Sequence, residues 1–367
     1  MRKEFDDSYH GARVLVTGHT GFKGSWLCLW LSRLGAEVYG FSESLLPGQN
    51  LFELAGIGDL IHHRTGDVRD AAAVRKAVEE ASPDFVFHLA AQALVSKAYA
   101  DPLRTLETNI MGTATVLEAV RLAGRACRII CITSDKCYEN REWQRGYCET
   151  DRLGGSDPYS ASKAGAEAVV SSYFRSYFSQ QDSPVRIAST RAGNVVGGGD
   201  WAQDRIVPDA MRAWSTGASL TVRAPSSTRP WQHVLEPLGG YLRVGELLEN
   251  NEVTGEAFNF GPPPEEDHDV ETLVRRLADC WGEFGAPYSI AENDALSEQR
   301  LLKLNCEKAG SVLDWRAVLD FEECAEFTAS WYRDFYGGDS SAVDLCRHQL
   351  DSYVEKAVTR KLVWVSE

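Results

Sequence analysis

Short apolar runs at 13–17, 37–41, 84–89, 128–133 and 185–190 alternate along the chain with stretches of helical spacing at 22–34, 71–81, 103–123 and 158–178. Such runs suit strands buried on both faces, and their alternation with helices predicts repeated βα units around a mostly parallel sheet. Proline in Ser82-Pro83-Asp84 and in Asp101-Pro102 stands where one element stops and the next begins. A further short strand is expected just before Gly66. After Arg191 the texture changes to a glycine run at Gly197-Gly198-Gly199, scattered tryptophans and the Pro-rich Gly261-Pro262-Pro263-Pro264. The expected architecture is α/β, with a doubly wound parallel sheet over 1–190 and a smaller mixed α/β substrate-binding lobe over 191–367. Some C-terminal segments are expected to return to the first domain.

Composition removes other classes. The chain of 367 residues is 44% hydrophobic and 25% charged, which excludes disorder and fibrous repeats. With 38 Lys+Arg against 53 Asp+Glu its formal net charge is -15, so the surface as a whole is not built for nucleic acid or anionic lipid. The start, Met1-Arg2-Lys3-Glu4-Phe5-Asp6-Asp7, carries charge where a secretory signal is apolar, and no stretch reaches the roughly 18 apolar residues of a membrane span. A cytoplasmic protein is expected. The nine cysteines include no Cys-x-x-Cys pair and read as reduced structural thiols with no metal site, Cys127 and Cys131 sharing one strand face.

The first strand runs into Thr17-Gly18-His19-Thr20-Gly21-Phe22-Lys23-Gly24 and straight on into a helix. Glycines in that setting allow a tight turn, close approach of backbone to a pyrophosphate and close packing of helix on strand, with the helix N-terminus facing the phosphates. A Rossmann-type dinucleotide site contacted by Gly18, Gly21, Phe22 and Gly24 is predicted. Lys23 is either a phosphate contact or a solvated lysine, and His19 either touches the cofactor or caps the helix. The acidic partner of the adenosine ribose belongs near 42, where the chain reads Phe41-Ser42-Glu43, with Ser42 a weaker contact and Glu43 displaced. No Arg or Lys occurs from 38 to 50 to meet a 2′-phosphate, so NAD is expected over NADP. Asp67 and Val68 follow the third strand, where Asp67 could meet the adenine, and Leu89-Ala90-Ala91 offer small residues for backbone approach.

Tyr159 and Lys163 stand four apart just inside a predicted helix, so both project from one face. An ammonium near a phenol favours the phenolate, and the pair is expected to form a base that takes a hydroxyl proton while hydride leaves for the nicotinamide. The preceding strand ends in Ser134-Asp135-Lys136-Cys137-Tyr138, at the carboxyl edge where doubly wound sheets place ligands.

These features resemble the extended short-chain dehydrogenase/reductase family, through 17–24, 89–91, Ser134 and 159–163. The blocks Thr133-Ser134-Asp135-Lys136-Cys137-Tyr138, Arg191-Ala192-Gly193-Asn194, Asp204-Arg205-Ile206-Val207-Pro208 and Arg229-Pro230-Trp231-Gln232-His233 look like its nucleotide-sugar dehydratase branch, and within it the members that act on CDP-glucose. The likeness spans 13–260 and reaches 303–308; it departs at Ser96-Lys97 and beyond about residue 320. The resemblance implies oxidation of the hexose at C4, loss of water across C5 and C6, and return of hydride to C6, as in deoxysugar and O-antigen polysaccharide formation. It implies that Ser134 holds the 4-hydroxyl, that Asp135 is the acid for the departing 6-hydroxyl, and that Lys136 is the C5 base in place of a glutamate. Lys136 can act so only if burial or Lys163 lowers its pKa. For substrate the resemblance offers Gln92, Asn194, Arg205, Arg229 and Trp231, with His233 a weaker candidate. The helices at 103–123 and 158–178 resemble those that dimerise in this family, so a homodimer or homotetramer is expected. The alternatives are a 4-epimerase or reductase on the same scaffold, a dehydratase of another sugar nucleotide, and a dinucleotide sensor without catalysis.

Overall fold

The computed structural model describes residues 3–45, 48–263, 266, 268–282, 285–291, 301–338 and 340–366. Met1, Arg2 and Pro264 of the motifs above lie outside the described residues. One sheet is built from β1 (Arg13–Thr17), β2 (Glu37–Ser42), β3 (His62–Thr65), β4 (Phe85–His88), β5 (Cys127–Ile132), β6 (Val185–Ala192) and β7 (Ala257–Phe260). Their spatial order is β3-β2-β1-β4-β5-β6-β7, and each neighbouring pair is parallel. Strand order reverses between β1 and β4, which opens a crevice beyond their carboxyl ends.

The alternation of side chains in each strand builds two cores. Val14, Val16, Phe85, Phe87, Ile130 and Ala188 enter one core, and Leu15, Val86, Ile129, Cys131 and Ile187 enter the other. The first core is covered by α1 (Phe22–Arg33) and, from later in the chain, α6 (Leu235–Leu247) and α9 (Ala342–Thr359). The second is covered by α2 (Ala71–Ala81), α3 (Gly112–Ala123) and α4 (Pro158–Tyr173). Burial of each such Val, Leu or Phe contributes about 1.5–3 kcal/mol, so a strand apolar on both faces is stable only between two layers of helix. All nine cysteines are free thiols, and Cys127 and Cys131 share the second core.

Beyond β6 the chain forms α5 (Ile206–Ser215), α7 (Val270–Trp281) and α8 (Phe321–Gly337), with Trp201, Trp331, Tyr332 and Phe335 packed edge to face or stacked among them. β7 adds to the sheet edge beside β6, and Val365–Ser366 pairs with Lys3–Glu4. Two helices differ from a simple continuous pattern. The 103–123 stretch starts at Pro102, where Asp101 caps it, and reaches α3 through a π turn at Glu107–Met111. The 158–178 stretch is α4 followed by a second π turn at Phe174–Phe178.

Candidate active site

Gly18 follows β1 with φ +74°, and a Cβ on it would lie 2.6 Å from the backbone nitrogen of Ala90. Only glycine lets the β1 and β4 ends approach this closely. A Cβ at Gly24 would lie 2.2 Å from the Gly18 carbonyl oxygen, so the loop and α1 close on each other as well. Gly21 precedes α1 in extended conformation with no side chain capping the helix, and a Cβ there would meet only the Gly18 carbonyl oxygen, at 3.4 Å. The first-turn amides of Phe22, Lys23 and Gly24 thus face a cradle that fits a pyrophosphate.

Two readings of this loop are corrected. The His19 ring turns under the loop, where its Nε2 lies 2.7 Å from Nδ1 of His63 and its face lies over the Cβ-less Gly40. It neither caps the helix nor points at the cradle, and burial beside His63 lowers its pKa to about 4. Lys23 is half-buried rather than extended into solvent. It reaches inward to Tyr241, 3.5 Å from its hydroxyl, and burial together with Lys163 and Arg205 lowers its pKa to about 7. Asp67 holds Arg69 through both carboxylate oxygens, at 2.5–3.1 Å, so its acid group is engaged within its own turn. Ser42 meets Thr20, hydroxyl to hydroxyl, at 2.8 Å.

Tyr159 and Lys163 lie one turn apart on α4, both buried. Asp157 caps that helix and Pro158 occupies its first turn, which fixes where the tyrosine starts. The sequence leads one to expect a phenol lowered by Lys163; burial instead raises Tyr159 to about 12, against the opposing pull of the Ser134 hydroxyl and Arg205. Burial lowers Lys163 to about 8, with Cys137 and Glu167 acting the other way. The helix is anchored from below. Ser162 donates to the Tyr159 carbonyl at 2.6 Å and accepts from Asn109, which also brackets the Gln92 backbone. Thr113 donates to the Asn109 carbonyl, so His88 donates through Nε2 to Thr113 and accepts on Nδ1 from Thr17. This chain ties the glycine loop to the tyrosine.

At the end of β5, Ser134 donates to Oδ1 of Asp135 at 2.7 Å and accepts from the Lys136 amide. Asp135 is buried, and its Oδ2 has no hydrogen-bond partner. Gly193 leaves it room, since a Cβ there would lie 2.0 Å from that oxygen. Asp135 and Lys136 line a small hollow with Tyr138, Asn140, Ser156, Ser160 and Leu302. Beneath it lies a pair not foreseen from sequence: Arg191 binds Glu167 through Nε and Nη2 at 3.0 and 2.7 Å, and Thr133 and Ser189 also donate to that carboxylate. The signal was the helical spacing of Tyr159, Lys163 and Glu167, which places all three on one face.

The substrate candidates divide. Arg205 is held by Asp200 at 2.9 Å and acts electrostatically on Lys23 and Tyr159, so it belongs to the cleft. Asn194 follows β6 next to Gly193 with φ +46°. Arg229 sits on a short strand paired with His268–Asp269. Gln92 and Trp231 have partners within the protein. Gln92 uses its side-chain amide within its own loop, on Leu94 and Thr105, and Trp231 is buried in the lobe core with its N–H donated to the His268 carbonyl. His233 is likewise core, packed against Trp26 and Phe327.

The buried imidazoles set a pH limit on stability. Burial lowers His88 to about 3, with Lys163 adding, and lowers His233 to about 3. These rings are neutral in the folded chain and take up protons on unfolding, so their stabilisation is complete above about pH 6.5 and falls as pH drops below it. Urea titrations at descending pH are expected to show a loss of about 2–3 kcal/mol per ring by about pH 4.5. Stability that is flat across that window would contradict this.

A family model described as GDP-mannose 4,6 dehydratase matches residues 15–253. The chain is 41% identical over 356 residues to the CDP-glucose 4,6-dehydratase of Salmonella typhimurium, covering 96% of this chain and 98% of that one. Among solved structures, the dTDP-glucose 4,6-dehydratase of Streptomyces venezuelae, determined with NAD bound, aligns with TM-score 0.73 and 24% identity over 89% of this chain and 98% of that one. The UDP-glucose 4-epimerase of Brucella ovis in complex with NAD aligns with TM-score 0.73 and 22% identity over 87% and 98%. At such identities the structural likeness establishes the fold.

Proposed function

The chain belongs to the GDP-mannose 4,6 dehydratase family, and on that premise we propose that it is an NAD-dependent CDP-glucose 4,6-dehydratase giving CDP-4-keto-6-deoxyglucose. The observation that carries the reading is the Ser134-Asp135-Lys136 turn: a buried carboxylate with one oxygen that has no hydrogen-bond partner, near Tyr159 and next to Lys136 at the strand end. A 4-epimerase or reductase needs the tyrosine and lysine but no acid-base pair for elimination, which favours the dehydratase.

NAD held on the 18–24 loop, Lys163 and the Leu89-Ala90-Ala91 edge supplies the acceptor and donor of hydride. Tyr159 takes the proton of the 4-hydroxyl, which Ser134 orients. The C5 hydrogen, now α to a ketone, is acidic, and Lys136 is the proposed acceptor, a role that requires its neutral amine. Asp135, the acid of the pair, delivers a proton from Oδ2 to the departing 6-hydroxyl, and C5 is reprotonated from the Lys136 side. Lys23, Lys163, Arg205 and Arg229 form a basic set for the anionic ligands inside an acidic shell.

Incubation with CDP-, UDP-, GDP- and dTDP-glucose, read by the alkaline absorbance of a 4-keto product, tests the reading; product from CDP-glucose is expected, and none from any of the four overturns it. Lys136→Ala is expected to lower turnover and suppress solvent-deuterium incorporation at C5 by about 10²-fold or more. Retained incorporation would remove Lys136 from the mechanism. Tyr99 and Leu103, 67% and 71% exposed, with Met111, Leu122 and Tyr177, leave an apolar face on and around α3. That face supports a homodimer or a dimer-based tetramer, and light scattering that returned a monomer would refute it. Free cysteines, and no described helix long and apolar enough to cross a membrane, support a cytoplasmic place in deoxysugar formation.

A further inference from the structure

Two arginines stand at the adenosine end of the crevice although the segment after β2 contains none. Arg69 comes from the turn after β3 and Arg104 from the capped turn before α3. Both converge on Glu43, the first residue after β2: Arg104 lies 2.7 Å from its carboxylate and Arg69 lies 3.6 Å from the same oxygen. Arg69 is also gripped by Asp67 at 2.5 Å and by Glu107 at 3.1 Å, the latter reaching over from the π turn. The rim thus holds three carboxylates against two guanidinium groups.

In a doubly wound sheet the ribose 2′-oxygen lies at the end of the second strand, where an acid selects the free hydroxyl and an arginine accepts the 2′-phosphate. Here both residue types are present at once. We propose that Glu43, Asp67 and Glu107 act as a carboxylate screen that occupies Arg69 and Arg104, so that NAD is chosen over NADP by masked arginines rather than by missing ones. A phosphate monoester brings about 1.5–2 negative charges at neutral pH and meets a rim whose formal charges sum to one negative. Arginine matches such a group through its forked donors, so an unmasked pair would accept it. The inference rests on the NAD reading above and adds the residues that set the choice.

The test is direct binding of NADH and NADPH by fluorescence titration, without turnover, in the wild type, Glu43→Gln and Glu43→Gln/Glu107→Gln. The two substitutions leave Asp67 to hold Arg69 and turn the rim from net negative to net positive. The ratio of dissociation constants, NADPH over NADH, is expected to fall at least tenfold in the double variant and by an intermediate factor in the single one. All five groups are at the surface, and unchanged melting temperatures are the control for folding. A ratio that stays within twofold while NADH still binds overturns the screen and leaves the NAD reading intact. A wild type that binds neither dinucleotide overturns both.

Discussion

Replacing Tyr159 with Phe is expected to lower turnover by about 10²–10⁴-fold, the range for a lost acid-base group, with little change in melting temperature. The phenol lies in a buried position where its pKa is raised to about 12, so the free protein keeps its proton at neutral pH. The proton leaves only when the 4-hydroxyl is seated and the charges around it change, which makes the tyrosine a base of the assembled complex. Loss of the hydroxyl removes the acceptor for the first proton. Single-turnover formation of the 4-keto chromophore measures this. A variant retaining more than a tenth of wild-type turnover would place the base elsewhere.

Arg191→Met is expected to destabilise the fold by about 3–5 kcal/mol, because it leaves Glu167 ionised and buried without its counter-ion. Burial pushes the Glu167 carboxyl up, and Arg191 with the Thr133 and Ser189 hydroxyls more than reverses that, leaving it below its ordinary value. Glu167→Gln/Arg191→Met, which removes both charges, is expected to recover at least half of the loss. Urea denaturation of the single and double variants separates the coupling from simple packing. Equal instability in both would show that the charges are incidental and that shape alone matters here.

The parts of this molecule legible in its sequence are those with a local signature. β1, the glycine loop and α1 were readable because strand, turn and helix chemistry follow one another within a few residues. Tyr159 and Lys163 were readable because helical spacing puts them on one face. β7 was not: Ala-Phe-Asn-Phe is too short to be distinguished from loop, and only its pairing with β6 across the intervening residues makes it a strand. The same holds for side-chain direction. His19 lies in the phosphate loop by sequence, yet the space left by Gly40 draws its ring to His63. Gln92 and Trp231 stand in motifs beside the site, but their polar atoms are taken by Leu94, Thr105 and His268, partners that no local pattern announces. Tyr159 shows the same limit in electrostatics, since spacing reveals the neighbouring ammonium and not the depth of burial that outweighs it.

Asn259 on β7 joins two separate stretches of chain to the sheet edge. Its side chain accepts from Tyr138 at 2.8 Å and donates to the carbonyls of Tyr147 and Asn305 at 2.8 and 3.0 Å, while its backbone amide donates to Glu149. The two stretches it joins also bond to each other, Tyr147 to the Lys303 carbonyl and Asn305 to the Tyr147 carbonyl, and they contribute Asn140 and Leu302 to the wall of the hollow. Both are therefore tied to the sheet edge through the Asn259 side chain. One side chain of the sheet edge thus fixes the placement of two stretches far apart in sequence, and each supplies a wall residue of the same hollow.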